Sequence, residues 1–115
     1  MDECIFCKII KGEISSKKIY ESDNFLCIWD LNQIAAGHVL IISKKHFQNI
    51  LEIPDILSED LLRTIKKTFL LLVKQKKAKG FNVVINNYKI AGQLIPHFHA
   101  HIILRKEQGD FKEII

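Results

Sequence analysis

The chain has 115 residues, 48% of them hydrophobic and 26% charged, a balance that suits a single globular domain over 1–115 and leaves too little chain for two independent cores. No apolar run nears the ~20 residues needed to cross a bilayer, and the acidic start at Asp2 and Glu3 is unlike a secretory leader, so a cytoplasmic protein with no membrane partner is expected. The net charge of +4 rests on lysines gathered between Lys66 and Lys79, which read as the solvated face and basic end of a helix and not as a nucleic-acid surface.

From Cys4 to about Lys11, Ile5, Phe6, Ile9 and Ile10 recur at helical spacings, and Gly12 supplies the stop, so a short helix is expected. The cysteines number three, and the Cys4-x-x-Cys7 pair stands in a chain without a secretory signal, which argues against a disulfide framework. By itself that pair leaves redox, metal and buried-thiol readings open. Lys18–Tyr20 and Phe25–Leu31 read as the arms of a hairpin, with Ser22, Asp23 and Asn24 as its turn. Cys27 within it is a small buried hydrophobe. Gly37 breaks the chain before His38, and Val39–Ile42 is apolar and β-branched enough for a buried strand.

Ser58 reads as an N-cap ahead of Glu59 and Asp60, acids that suit the positive end of a helix. Leu61, Leu62, Ile65, Phe69, Leu72 and Val73 then form an apolar stripe, and Lys76, Lys77, Lys79 and Gly80 give a basic last turn and a stop. Phe69–Val73 is apolar all round, which calls for a second covered face such as a dimer contact. A strand over Phe81–Ile85, a polar loop over Asn86–Gln93 and a last strand over Pro96–Leu104 complete the chain. The expected class is α+β with a mostly antiparallel sheet, because the first three strands leave no room for helical crossovers.

The chain owns five histidines, and three of them fall in His97-Phe98-His99-Ala100-His101. On a strand that spacing projects all three imidazoles from one face, successive rings ~7 Å apart, with Phe98, Ala100 and Ile102 turned to the core. A lone strand histidine is ordinary; three in phase with the pleat are not. Such a row suits either metal coordination or attack by one imidazole held in the required tautomer by its neighbours. No acidic residue lies between Ile90 and Leu104 to complete a hydrolytic metal site, which favours the nucleophile. Phosphorus is its natural target, since imidazole forms a covalent phosphoramide and then releases the group to water.

The run of alternating histidines after Ala91-Gly92-Gln93 resembles the signature of the histidine-triad (HIT) family. Cys4–Ile14 is similar to that family's N-terminal segment, and Gly37-His38-Val39-Leu40-Ile41-Ile42 through His46 to its central strand. The likeness covers nearly the whole chain and is to the small Hint-like and bacterial branch, not to the much longer uridylyltransferases or decapping enzymes. It implies a HIT-like fold, a five-stranded mostly antiparallel sheet with one long and one short helix, that forms a homodimer.

The resemblance also assigns roles. His99 would be the nucleophile, forming a nucleotidyl-histidine, with His101 and His38 orienting it and managing charge at the phosphate. Asp30 would accept hydrogen bonds from ribose hydroxyls, Ile5, Phe6, Ile28 and Leu31 would wall the base pocket, and Asn86 and Gln93 would reach the phosphate and leaving group. Cys4 and Cys7 would join His46 and His97 in a structural zinc site, a donor set that suits a tetrahedral ion. Tyr88 stands where many members carry glycine, Leu94 where many carry a hydroxyl, and Leu104 where a proline is common before Arg105. The expected function is hydrolysis or transfer of a purine nucleotide, such as AMP from its phosphoramidate. Dinucleoside polyphosphate hydrolysis, a non-catalytic nucleotide-binding regulatory module and a hydrolase using the triad as metal ligands are the competing readings.

Overall fold

The computed structural model describes residues 3–30 and 37–107. Strands β1 (Lys18–Glu21), β2 (Phe25–Trp29), β3 (His38–Ser43), β4 (Gly80–Val84) and β5 (His99–Arg105) form one antiparallel sheet in the order β1-β2-β3-β5-β4. A short helix α1 (Ile5–Ile10) and a long helix α2 (Ser58–Leu72) accompany it, and this is the α+β architecture expected. No described helix is long and apolar enough to cross a membrane.

The pleat divides the core in two. Phe25, Cys27, Val39, Ile41, Ala100, Ile102 and Leu104 face α2, where Leu72 and the partly buried Leu61, Ile65 and Phe69 cover them. Leu26, Ile28, Leu40 and Ile42 face the other way, beneath Phe6 and Ile9 of α1. Covered on both sides, β3 is buried along its whole length, which is why its sequence is a continuous apolar run and not an alternating one.

Helix α1 begins where the Cys7 amide donates to Cys4 Sγ at 3.4 Å and ends at Gly12, whose φ of +82° suits glycine. Helix α2 departs from expectation at both ends. Ser58 is its first helical residue and no side chain caps it; a 3₁₀ turn over Asp55–Leu57 leads in instead. Asp60 does other work, accepting from Ser22 Oγ at 2.8 Å, from Asn24 Nδ2 at 3.0 Å and from the Asn24 amide at 3.2 Å, so the β1–β2 turn is tied to the helix. The helix closes at Leu72, ahead of the Lys76–Gly80 signals, because Lys77 turns left-handed at φ 54° and the Ala78 amide bonds Val73 O at 3.0 Å, seating Ala78 in the core. Gly80 therefore starts β4.

The buried stripe of α2 is also not purely apolar. Thr64 and Thr68 face the sheet fully buried, with Thr68 Oγ1 donating to Thr64 O at 2.7 Å, whereas Leu62 is exposed. Strand β5 starts at His99 and not at Pro96, since the His97 amide turns back to Ile95 O at 2.8 Å and the Phe98 amide donates to Phe47 O at 2.6 Å. His97 is thus off the strand and out of the predicted row.

Candidate active site

Strand register brings the remaining histidines together. On β3, Leu40 stands opposite His101 and Ile42 opposite His99 on β5, so His38, two residues before Leu40, shares their face. Asp30 follows β2, and its amide bonds His38 O at 3.1 Å. The side chains continue the link: Asp30 Oδ2 lies 3.3 Å from His38 Nδ1, and His38 Nε2 lies 3.0 Å from His101 Nδ1. Where His101 Nδ1–H donates to His38 Nε2, His101 Nε2 retains a lone pair, and the Asp30 carboxylate stands at ion-pair distance on the far side of the His38 ring.

His99 is buried beside them, its ring centroid 5.0 Å from that of His101. Its Nδ1 lies 2.8 Å from the His97 carbonyl oxygen. A carbonyl only accepts, so Nδ1 carries the proton and Nε2 of the neutral ring carries the lone pair. Burial pushes the basicity of His99 down, against the opposing pull of the His97 carbonyl and Asp30. Burial likewise lowers His38, opposed by Asp30, and takes His101 down to about 4 with help from the neighbouring His99 and His38. All three rings are therefore neutral near pH 7.

These histidines open onto a cleft of about 370 Å³, a size that suits a small ligand. Ile5, Phe6 and Ile28 wall it, with Asp30, His38, His99 and His101 as its charged and titratable groups. Ile9, Leu40, Ser16 and Ile95 also line it without having been marked as site residues by sequence, and so does Leu94, the leucine that stands where many relatives of the resembled family carry a hydroxyl. Leu31 lies outside the described residues. Asn86 and Gln93 are not on the cleft wall; Gln93 is buried and ties its loop to the segment after β3, donating to Gln48 O at 2.6 Å and Ile95 O at 3.2 Å and accepting from the Tyr88 amide at 2.8 Å.

His97 turns away from the cleft. Its Nε2 donates to Ser43 O at 2.7 Å, which leaves the Nδ1 lone pair facing Cys4 Sγ at 3.2 Å, Cys7 Sγ at 3.6 Å and His46 Nδ1 at 3.1 Å. Cys7 Sγ is 3.1 Å from His46 Nδ1, and the four donor atoms lie within 4.8 Å of one another. Tetrahedral zinc with its usual bond lengths sets such donors roughly 3.3–3.8 Å apart, so the cluster fits the ion, with Ser43 O as the outer partner that fixes the His97 tautomer. Because His97 points to this cluster, the row His97, His99 and His101 does not converge on one ligand position. Asp30, His38 and His101 also lie within reach of a common cation.

Comparison with known proteins places this geometry among relatives. Residues 11–108 match the HIT domain family model. The chain is 41% identical over 110 residues to an adenosine 5′-monophosphoramidase of Candida albicans, an alignment spanning 92% of this chain and 72% of that protein. A crystal structure of a HIT family member from Bacillus subtilis superposes with a TM-score of 0.88 at 37% identity, over 98% of this chain and 80% of that one. A zinc-bound histidine triad family protein from Mycobacterium smegmatis superposes with a TM-score of 0.88 at 30% identity, over 98% and 81% of the two chains.

Proposed function

The chain belongs to the histidine triad family, and from that premise we propose that it hydrolyses nucleoside phosphoramidates of the AMP type through a nucleotidyl-histidine intermediate. The observation that carries this reading is the His99 ring, buried, neutral and bonded through Nδ1 to the His97 carbonyl, with its Nε2 lone pair available to attack.

In the first step Nε2 attacks the α-phosphorus, a new P–N bond forms to the imidazole, and the P–N bond to the leaving amine breaks. The amine departs with the bonding pair and takes a proton from solvent. Water then attacks the same phosphorus, its proton passes to His101 Nε2 and on to solvent, and the P–imidazole bonding pair returns to His99. His38 bonds His101, and the Asp30 carboxylate opposes the positive charge that builds on the pair while the proton is in transit. Asp30 also accepts from the ribose hydroxyls, and Ile5, Phe6 and Ile28 pack against the purine.

Cys4, Cys7, His46 and His97 would hold zinc, which when bound would supply a structural crosslink between the N-terminal segment and the start of β5. The Mycobacterium smegmatis relative, a zinc-bound structure, supports that assignment. The chain acts as a homodimer: β4 is a sheet edge, and Phe81, Val83, Leu70 and Leu71 are exposed on it and on α2. Free cysteines accord with a cytoplasmic setting.

The test is turnover of an adenosine phosphoramidate by wild type and His99→Ala, with folding checked by melting temperature and AMP binding measured in parallel. The variant is expected to bind AMP and to lose at least ~10³-fold in rate. A wild type that binds AMP but cleaves neither phosphoramidates nor dinucleoside polyphosphates would leave a nucleotide-binding module in place of the enzyme.

A further inference from the structure

His97 belongs to two sites at once. Its side chain offers Nδ1 to the Cys4–Cys7–His46 cluster, while its main-chain carbonyl, 2.8 Å from His99 Nδ1, fixes which nitrogen of His99 faces the cleft. Movement of the ring that follows a metal ion therefore moves the carbonyl that orients the nucleophile. A second link runs beside the first. Phe6 meets the rings of His97 and His99 edge-on, with centroids 5.6 Å and 5.0 Å away.

Phe6 sits on α1, whose six residues are far below the length at which a helix holds itself in water. Its placement depends on what anchors it. One anchor is the apolar contact of Phe6 and Ile9 with Leu26, Ile28, Leu40 and Ile42; the other is the cluster, to which Cys4 and Cys7 contribute thiols from the cap and first turn. The same helix turns Ile5, Phe6 and Ile9 into the cleft.

Resting on the zinc assignment above, we propose that metal occupancy of the Cys4–Cys7–His46–His97 cluster positions both the nucleophile, through the His97 carbonyl, and the nucleotide-binding wall, through α1. His97 is then a positioning residue. Because coupling between two ligands is reciprocal, zinc strengthens AMP binding and AMP strengthens zinc binding by the same factor.

The experiment measures AMP affinity of the full chain with and without zinc, and zinc affinity with and without AMP, while nitrogen-15 NMR follows the His99 ring and circular dichroism reports folding. The expected result is at least ~10-fold tighter AMP binding in the zinc-loaded chain, an equal gain in zinc affinity with AMP, and a His99 Nδ1–H signal that weakens or shifts when the metal is withdrawn. Equal AMP affinity and an unchanged His99 spectrum in a folded, metal-free chain overturn the proposal. If the metal-free chain unfolds, zinc-loaded and cadmium-loaded protein are compared, since longer cadmium–thiolate bonds displace α1; identical affinity and spectra then overturn it. A chain that takes up no zinc removes the metal assignment and the coupling together, while turnover by that chain would leave the hydrolase reading intact.

Discussion

His38 and His101 meet nitrogen to nitrogen at 3.0 Å across the β3–β5 pair, with Asp30 closing the far end at 3.3 Å from His38 Nδ1. Both rings are less basic in the folded chain than in the unfolded one, His101 at about 4. The unfolded state therefore binds more protons between about pH 4 and 6.5, and stability falls as pH drops through that window while it stays level above it. For His101, which keeps some solvent contact, the loss is on the order of 1–2 kcal/mol by pH 4.5. Urea midpoints at pH 7 and pH 5 for wild type and His101→Asn check this: the variant is expected to show the shallower dependence, and equal slopes would remove His101 as its source.

Asp30 is asked to serve both the ribose and His38. Replacing it by asparagine keeps the shape and removes the charge, so Asp30→Asn is expected to weaken AMP binding about 10-fold or more, the size of a lost charge-assisted hydrogen bond. The ribose role has its own signature. A nucleotide lacking both ribose hydroxyls should bind wild type more weakly than AMP does, and Asp30→Asn should no longer distinguish the two; calorimetry on the four combinations gives the coupling directly.

Tyr88 opens the loop before the histidine run with φ 74° and ψ 154°, a conformation that glycine adopts freely and a bulky residue does not. Its side chain is 55% exposed, so little packing compensates. Tyr88→Gly is expected to stabilise the chain by roughly 1 kcal/mol, since relief of strain of ~1–3 kcal/mol exceeds the extra backbone entropy that glycine loses on folding. A higher melting temperature is the outcome that supports this; a lower one would mean that the phenol makes contacts worth more than the strain.

The order of elements was legible because each strand carried its own pattern: Phe25–Trp29, the continuous His38–Ser43 run, and the Phe98/Ala100/Ile102 alternation that sets β5 on the sheet. The end of α2 was not, since the basic residues and Gly80 mark a stop that Lys77 and Ala78 pre-empt by turning the chain into the core. His99, His101 and His38 converge because of register, which local sequence does not encode. His97 reads as one of the row until the backbone shows that β5 starts two residues later and frees its ring for the cysteines. Gln93 marks a polar loop in sequence, yet its amide is engaged in tying that loop to Gln48 O and Ile95 O and in accepting from the Tyr88 amide. Ser16 and Ile95 reach the cleft from segments with no periodic pattern, so nothing in the sequence singled them out, and Leu94 stood out only as a departure from the family pattern.

The two core clusters share backbones but no side chains: Cys27, Ile41 and Ile102 look to α2, while Ile28, Leu40 and Ile42 on the same ladders look to the opposite face. Most of the large, fully buried residues belong to the α2 side. A combinatorial library at positions 5, 28, 40 and 95 would thus redraw the cleft while leaving the greater part of the hydrophobic anchor untouched. Ligand preference and thermodynamic robustness are, in this chain, two inheritances carried on alternate residues, free to diverge at separate rates.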